Sequence, residues 1–263
     1  MSAGRIIHII LTALAITGVL ALFGFASSSG RATLCHQLNI TVVSGSGDYF
    51  ISAESVRNII TETFDTLEGQ YIDRQKLAKL HHTVQSVDYA DKAKVYRSLN
   101  GLIGVEISLR EPLMRVINSD NQSFYIDIHG TMFPLSDAHT ARVMLASGHI
   151  AFAWEPGINL ADLPGRGQEE GGICPAGLYE LARFIHNDVF WKSFIDHIYV
   201  LPNGKFELIP RNGVHTVEFG KAEQIEEKFR KLKLFYLNGL PRKGWHYYRR
   251  INLEYNNQVI CSK

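Results

Sequence analysis

The sequence predicts an α+β protein: one N-terminal transmembrane helix, then a βααββ domain, then a strand-rich β domain with two or three helices. Three observations carry that prediction. Ile6 to Ala26 is an uninterrupted apolar run of 21 residues. Between residues 37 and 112 the apolar spacing moves from strand-like to helix-like and back. Beyond residue 113, short alternating runs recur between Gly, Pro and Asn-Gly turns.

The run Ile6–Ala26 contains a single ionisable residue, His8, and follows Arg5. At ~1.5 Å rise per residue it spans the ~30 Å core of a bilayer. It is longer than the roughly 7–15-residue core of a cleaved signal peptide. An uncleaved anchor is therefore the preferred reading, with cleavage at Gly24-Phe25-Ala26 as the alternative. Arg5 and the amino terminus against Arg31 lean only slightly to an inside N-terminus. Ser27-Ser28-Ser29-Gly30 reads as a linker.

After the anchor, Leu38, Ile40 and Val42 alternate with Asn39, Thr41 and Val43, as in a strand with one buried face. The loop Ser44–Asp48 follows, and Ser52 is placed to cap a helix with Glu54 in its first turn. Val56, Ile59, Ile60, Phe64 and Leu67 form the stripe of that helix, and Gly69 is expected to stop it. Asp73 is expected to cap a second helix with stripe Leu77, Leu80, Val84 and Val87. Ala93 and Val95 then alternate with lysines up to Asn100-Gly101, a strong hairpin signal. Ile103, Val105, Ile107 and Leu109 form the return strand, which Pro112 ends. Two helices on one side of three strands would bury every apolar stripe.

Strands are expected at Leu113–Ile117, Ser123–Ile128, Thr131–Leu135, Val143–Leu145 and His149–Trp154. Residues 155–177 hold six glycines and three prolines and read as a long loop. Helical pieces follow around Leu178–Ile185 and Trp191–Ile195. Further strands are expected at His197–Leu201, Lys205–Ile209 and His215–Phe219, and a helix carries Ile225, Phe229, Leu232 and Phe235. Arg249–Tyr255 alternates as a final strand, with Gln258-Val259-Ile260 close behind.

The chemistry-bearing residues favour no catalytic or metal centre. The formal net charge of +1 gives no nucleic-acid signal. Cys35, Cys174 and Cys261 are an odd number without CxxC spacing. They read as unpaired thiols, and a Cys174–Cys261 bridge is an open alternative. His81-His82 sit about 100° apart on a helix and do not share a ligand easily. His186 and His197, flanking Asp188 and Asp196, lack metalloenzyme spacing. Gly165–Gly171 opens no helix and places Glu169 and Glu170 where an anion would sit. No cofactor, metal, nucleic acid or small-molecule substrate is expected.

The βααββ order beside a membrane anchor resembles the POTRA domain. Val105-Glu106-Ile107-Ser108-Leu109-Arg110-Glu111-Pro112 resembles the close of that domain in the bacterial cell-division family FtsQ/DivIB. Phe124–Phe133 resembles the family's next hairpin, where an aromatic strand reaches Asp, Gly and then Phe. Val217-Glu218-Phe219-Gly220, followed by a charged helix, is similar to it as well. The implied organisation is a cytoplasmic tail (1–5), an anchor (6–26), a linker (27–36), a POTRA-like domain (37–112) and a β domain (113–263).

The resemblance implies a non-enzymatic divisome scaffold in the bacterial inner membrane, single-pass, with its bulk periplasmic and enriched at the septum. The implied partners are FtsB-like and FtsL-like bitopic proteins. The implied FtsB docking strand is Tyr248, Arg249, Arg250, Ile251, Asn252, Leu253, Glu254 and Tyr255. As the last strand, it is expected to lie uncovered at a sheet edge, with unpaired backbone groups for a partner strand. The resemblance also implies contacts of the POTRA-like domain with other divisome proteins, for which the strand near Lys92–Arg97 is the candidate. A POTRA-type envelope assembly factor and an anchored or secreted envelope enzyme are the rival readings. The first would need a barrel that these short strands do not supply.

Overall fold

A computed structural model describes residues 14, 16–18, 32–162, 175–212, 215–256 and 258–263. Among them no helix is long and apolar enough to cross a membrane. Of the run Ile6–Ala26, only Leu14 and Ile16–Gly18 are described, and these are helical. The remaining residues of the expected anchor, the linker Ser27–Gly30, Gly165–Gly171 and Cys174 lie outside the described residues.

The architecture is α+β, in two compact units. The first holds the described residues up to Val43 together with Ala53–Val87 and Lys92–Ile107. The second holds Ser44–Ser52, Asp88–Asp91 and Ser108–Lys263.

In the first unit, β1 (Thr33–Leu34) pairs with β3 (Tyr71–Ile72) in a short ladder that the spacing did not predict. The strands β2 (Gln37–Val43), β4 (Ala90–Arg97) and β5 (Leu102–Leu109) form a three-stranded sheet of order β2-β5-β4. Helices α1 (Ala53–Phe64) and α2 (Arg74–Gln85) pack against each other, and α1 packs on β2. Val56, Ile60, Leu80, Val84, Ile103, Val105 and Ile107 are all buried. The Asp73 side chain accepts from the Lys76 amide at 2.7 Å, which satisfies one orphan donor at the start of α2. The helix expected to run to Gly69 ends earlier, at Phe64. Asp65 takes a left-handed conformation (φ 56°) and breaks it. Gly69 instead donates its amide to the Cys35 carbonyl, and Leu67 is buried outside the helix.

In the second unit, nine strands form one sheet. They are β6 (Pro112–Ile117), β7 (Ser123–Asp127), β8 (Met132–Pro134), β9 (Met144–Gly148) and β10 (Ile195–Val200). β11 (Phe206–Pro210), β12 (Thr216–Gly220), β13 (Arg250–Asn252) and β14 (Ile260–Ser262) complete it. Their order is β14-β13-β12-β11-β10-β9-β6-β7-β8. The pairs β6/β9, β9/β10 and β12/β13 are parallel. Helices α3 (Pro175–Asn187), α4 (Val189–Phe194), α5 (Ile225–Asn238) and α6 (Leu240–Lys243) connect the strands. Leu181, Ile185, Trp191, Phe229 and Leu232 bury against Val116, Ala146, Ile198, Leu208, Val217 and Ile251. One face of the sheet is therefore helix-covered.

The strand expected at His149–Trp154 is absent. Ile150 is fully buried, but the backbone there is satisfied without a ladder: the Ser119 backbone N–H donates to the Ile150 carbonyl and the Asn118 side-chain Nδ2 to the Phe152 carbonyl.

The two short motifs that carried the resemblance meet in space. Arg110 reaches Asp127 at 2.7 Å, and its Nε donates to the Asp88 carbonyl. The other Asp127 oxygen accepts from the amides of His129 and Thr131, which fixes the turn. Gly130 completes that turn at φ 92°, where a Cβ would lie 2.6 Å from Asn159 Oδ1. Phe133 follows into an aromatic cluster with Phe50 and Tyr125.

Candidate functional site

The predicted docking residues lie at the C-terminal end of the nine-stranded sheet, and two expectations about them need correcting. The strand covers Arg250–Asn252 rather than Arg249–Tyr255. It is also not the edge. β13 pairs with β12 on one side and with β14 on the other, in register Arg250↔Ser262, Ile251↔Cys261 and Asn252↔Ile260. The chain turns back after Tyr255 and covers its own strand, so the outermost backbone is that of Ile260–Ser262.

Alternation places the eight residues in different environments. Ile251 and Leu253 are fully buried in the core. Arg250 faces the other way and bridges two carboxylates. Its guanidinium meets Glu207 of β11, and its Nε lies 2.6 Å from Glu218 of β12. Asn252 donates to the second Glu218 oxygen at 2.6 Å, and Lys205 reaches Glu254 at 2.6 Å. Lys231 on α5 donates to the carbonyls of Leu253 and Tyr255. The polar side chains Arg250, Asn252 and Glu254 are thus engaged within the chain, and they clamp β13 into the sheet.

Of the four aromatic or aliphatic members, Tyr255 alone is exposed. Tyr255 is 51% exposed, and Trp245, Tyr247 and Ile260 are also exposed. Tyr248 is half-buried against Phe235, 6.0 Å between ring centroids. The Lys263 ammonium lies 4.5 Å from the Tyr247 ring centre. A hydrogen bond from Lys263 and its charge lower the Tyr247 phenol below its ordinary pKa. On α5, Leu234 and Leu237 add exposed apolar surface. The segment singled out in the sequence contained Tyr248 and Tyr255. It missed Trp245, Leu234 and Leu237, whose exposure depends on how α5 packs.

Beneath this surface sits a buried polar pair. His215, just before β12, and Tyr236 on α5 are joined at 2.8 Å between Nε2 and Oη. His215 Nδ1 has no hydrogen-bond partner. Burial pushes the His215 imidazole below its ordinary pKa and the Tyr236 phenol well above its own. A histidine with a lowered folded pKa is neutral in the fold. The unfolded chain binds the extra proton as pH falls past ~6.5, so stability present at neutral pH is lost on acidification. Burial also lowers His186 and His197, which adds in the same direction. The melting temperature should therefore fall between pH 7.5 and pH 5.5, and His215→Gln should remove part of that fall. A pH series of thermal melts checks both.

The other candidates are dispersed. His186 lies 3.4 Å from Lys192, whereas His197 bonds Ser147 Oγ at 2.8 Å. Asp196, the carboxylate beside His197 in sequence, pairs with Arg211. His81 is tied to the Ala93 carbonyl. Among the described residues no three His, Cys, Asp or Glu side chains converge as a metal set. Cys35 and Cys261 are free thiols. In the first unit, β4 with Lys92–Arg97 is an edge of the three-stranded sheet.

Comparison with known families agrees with this architecture. Residues 33–108 match the POTRA-like domain. Residues 111–262 match the model described as FtsQ/DivIB, C-terminal related. No curated protein matches the chain. Domains of these two kinds are scaffold types and support a general role in cell division. Since the second model spans more than half of the sequence, the chain belongs to the FtsQ/DivIB family.

Proposed function

We propose that this protein is a bitopic inner-membrane scaffold of the divisome that recruits an FtsB-like and FtsL-like pair through the C-terminal end of its β domain. It acts without catalysis. The apolar run Ile6–Ala26 is its anchor, and both domains lie on the periplasmic side. Tethering raises the effective concentration of partners held in the same membrane. The observation that carries this reading is the sheet terminus at β13–β14, flanked by the exposed Tyr247, Tyr255 and Ile260. Strand addition supplies main-chain hydrogen bonds, and aromatic anchors supply affinity. The edge strand β4 is a second docking candidate, for other divisome proteins.

The test is capture from detergent-solubilised membranes. Tyr255→Asp and Tyr247→Asp alter exposed side chains and should leave the melting temperature nearly unchanged. Each should reduce recovery of a small single-anchor coiled-coil protein of the FtsB type by about ten-fold, the scale of an interface anchor worth more than 1 kcal/mol. Unchanged recovery with both variants would place the docking site elsewhere.

A further inference from the structure

β13 and β14 are held in the sheet very unequally. β13 is fixed by the buried Ile251 and Leu253, by the Arg250 bridge to Glu207 and Glu218, and by Asn252 on Glu218. The extended chain continues past it. Thr216 donates to the Arg249 carbonyl and Leu253 to that of Glu218, so residues 249–253 run along β12. β14 has three residues, with Ile260 and Ser262 exposed and Cys261 only half-buried. Beyond its backbone ladder, β14 is held by the partly buried Cys261 and the preceding Val259 at the margin of the core and by the Lys263 ammonium over Tyr247 at the surface. Segments with few buried apolar contacts open locally at low free energy. The outer edge of three residues is also a poor template for a further strand, whereas residues 249–253 offer a longer one.

We infer that β14 is a displaceable strand: in the free protein it occupies the edge of β13, and a docking partner strand takes its place. This deepens the proposed docking function and rests on it. The incoming segment would be extended. It would place one small apolar side chain where Cys261 now sits. Acidic flanking residues would meet Arg249, which has no ion-pair partner among the described residues, and Lys243 beside Tyr247. Leaving β14 also frees Tyr247 from Lys263 and so opens an aromatic anchor. The closed strand shields an edge that would otherwise template non-specific pairing.

Two measurements on the full chain decide this. The first is amide hydrogen exchange. Residues 258–263 should exchange at least about ten-fold faster than residues 249–253. Equal protection of the two segments would overturn the proposal. The second locks the strand. Asn252→Cys and Ile260→Cys stand directly opposite each other, and Cys174→Ala with Cys261→Ala leaves the fully buried Cys35 as the one other thiol.

The probe is a fluorescein-labelled peptide of residues 258–263 carrying the same Cys261→Ala change. It should bind the reduced variant and lose at least about ten-fold in affinity when the disulfide forms, because the locked edge is no longer vacated. Equal binding to both forms would mean addition outside β14, and binding to neither would mean no exchange. Either result overturns the proposal. Neither touches the docking reading, which fails if the native chain captures no partner from membranes or if Tyr255→Asp and Tyr247→Asp leave that capture unchanged.

Discussion

Asp127→Ala should destabilise the second unit by about 3–5 kcal/mol, as should Arg110→Ala, since each leaves a desolvated charge unpaired. Asp127 is fully buried, and Arg110 is its only ion-pair partner among the described residues. The alanine variant also strands the amides of His129 and Thr131, which now share Asp127 Oδ1. Asp127→Asn should cost less, because an amide oxygen still accepts from the turn. Removing both charges should cost less than the sum of the single changes, with the difference measuring their coupling. Urea denaturation of the unmodified protein and these four variants checks this, read as midpoint shifts at constant slope.

The second large effect concerns the helices under the C-terminal sheet. Trp191 is almost fully buried, with its ring 4.8 Å from Phe229 and 6.0 Å from Tyr236. It joins α4 to the helix that supports His215 and the β13 region. Trp191→Ala should cost about 3–5 kcal/mol through lost burial and the cavity left behind. Trp191→Phe should cost clearly less, since Phe190 and Phe194 already form a ring-lined pocket around it. Thermal and urea melts of both variants test this order.

Much of this organisation was readable from local patterns. Asp73 announced its helix because capping needs only an Asx side chain and the next turn. The hairpin at Asn100-Gly101 was readable because Gly101 meets a φ of 82° that other residues resist. His149–Trp154 misled because Ile150 and Phe152 alternate like strand residues. Their burial comes from packing beside the Asn118 turn, a contact across more than thirty residues of sequence. The covered state of β13 was illegible for a similar reason. Arg250–Asn252 alternates as any edge strand would, and what covers it is three weakly patterned residues at the chain end. The Arg110–Asp127 pair lay inside motifs that suggested the family, yet neither motif hints that they meet. Strand order is a property of crossovers, and no periodicity encodes it.

The most direct test of the docking account is site-specific photocrosslinking in cells, with a photoreactive amino acid at Tyr255 or Ile260 and, as controls, at Val189 or Tyr71. All four positions are exposed, and only the first two flank the β13–β14 terminus. The account predicts a crosslink from Tyr255 and Ile260 to a small bitopic coiled-coil protein, with none from Val189 or Tyr71. Crosslinks to that protein from Val189 or Tyr71, with none from the C-terminal edge, would contradict it.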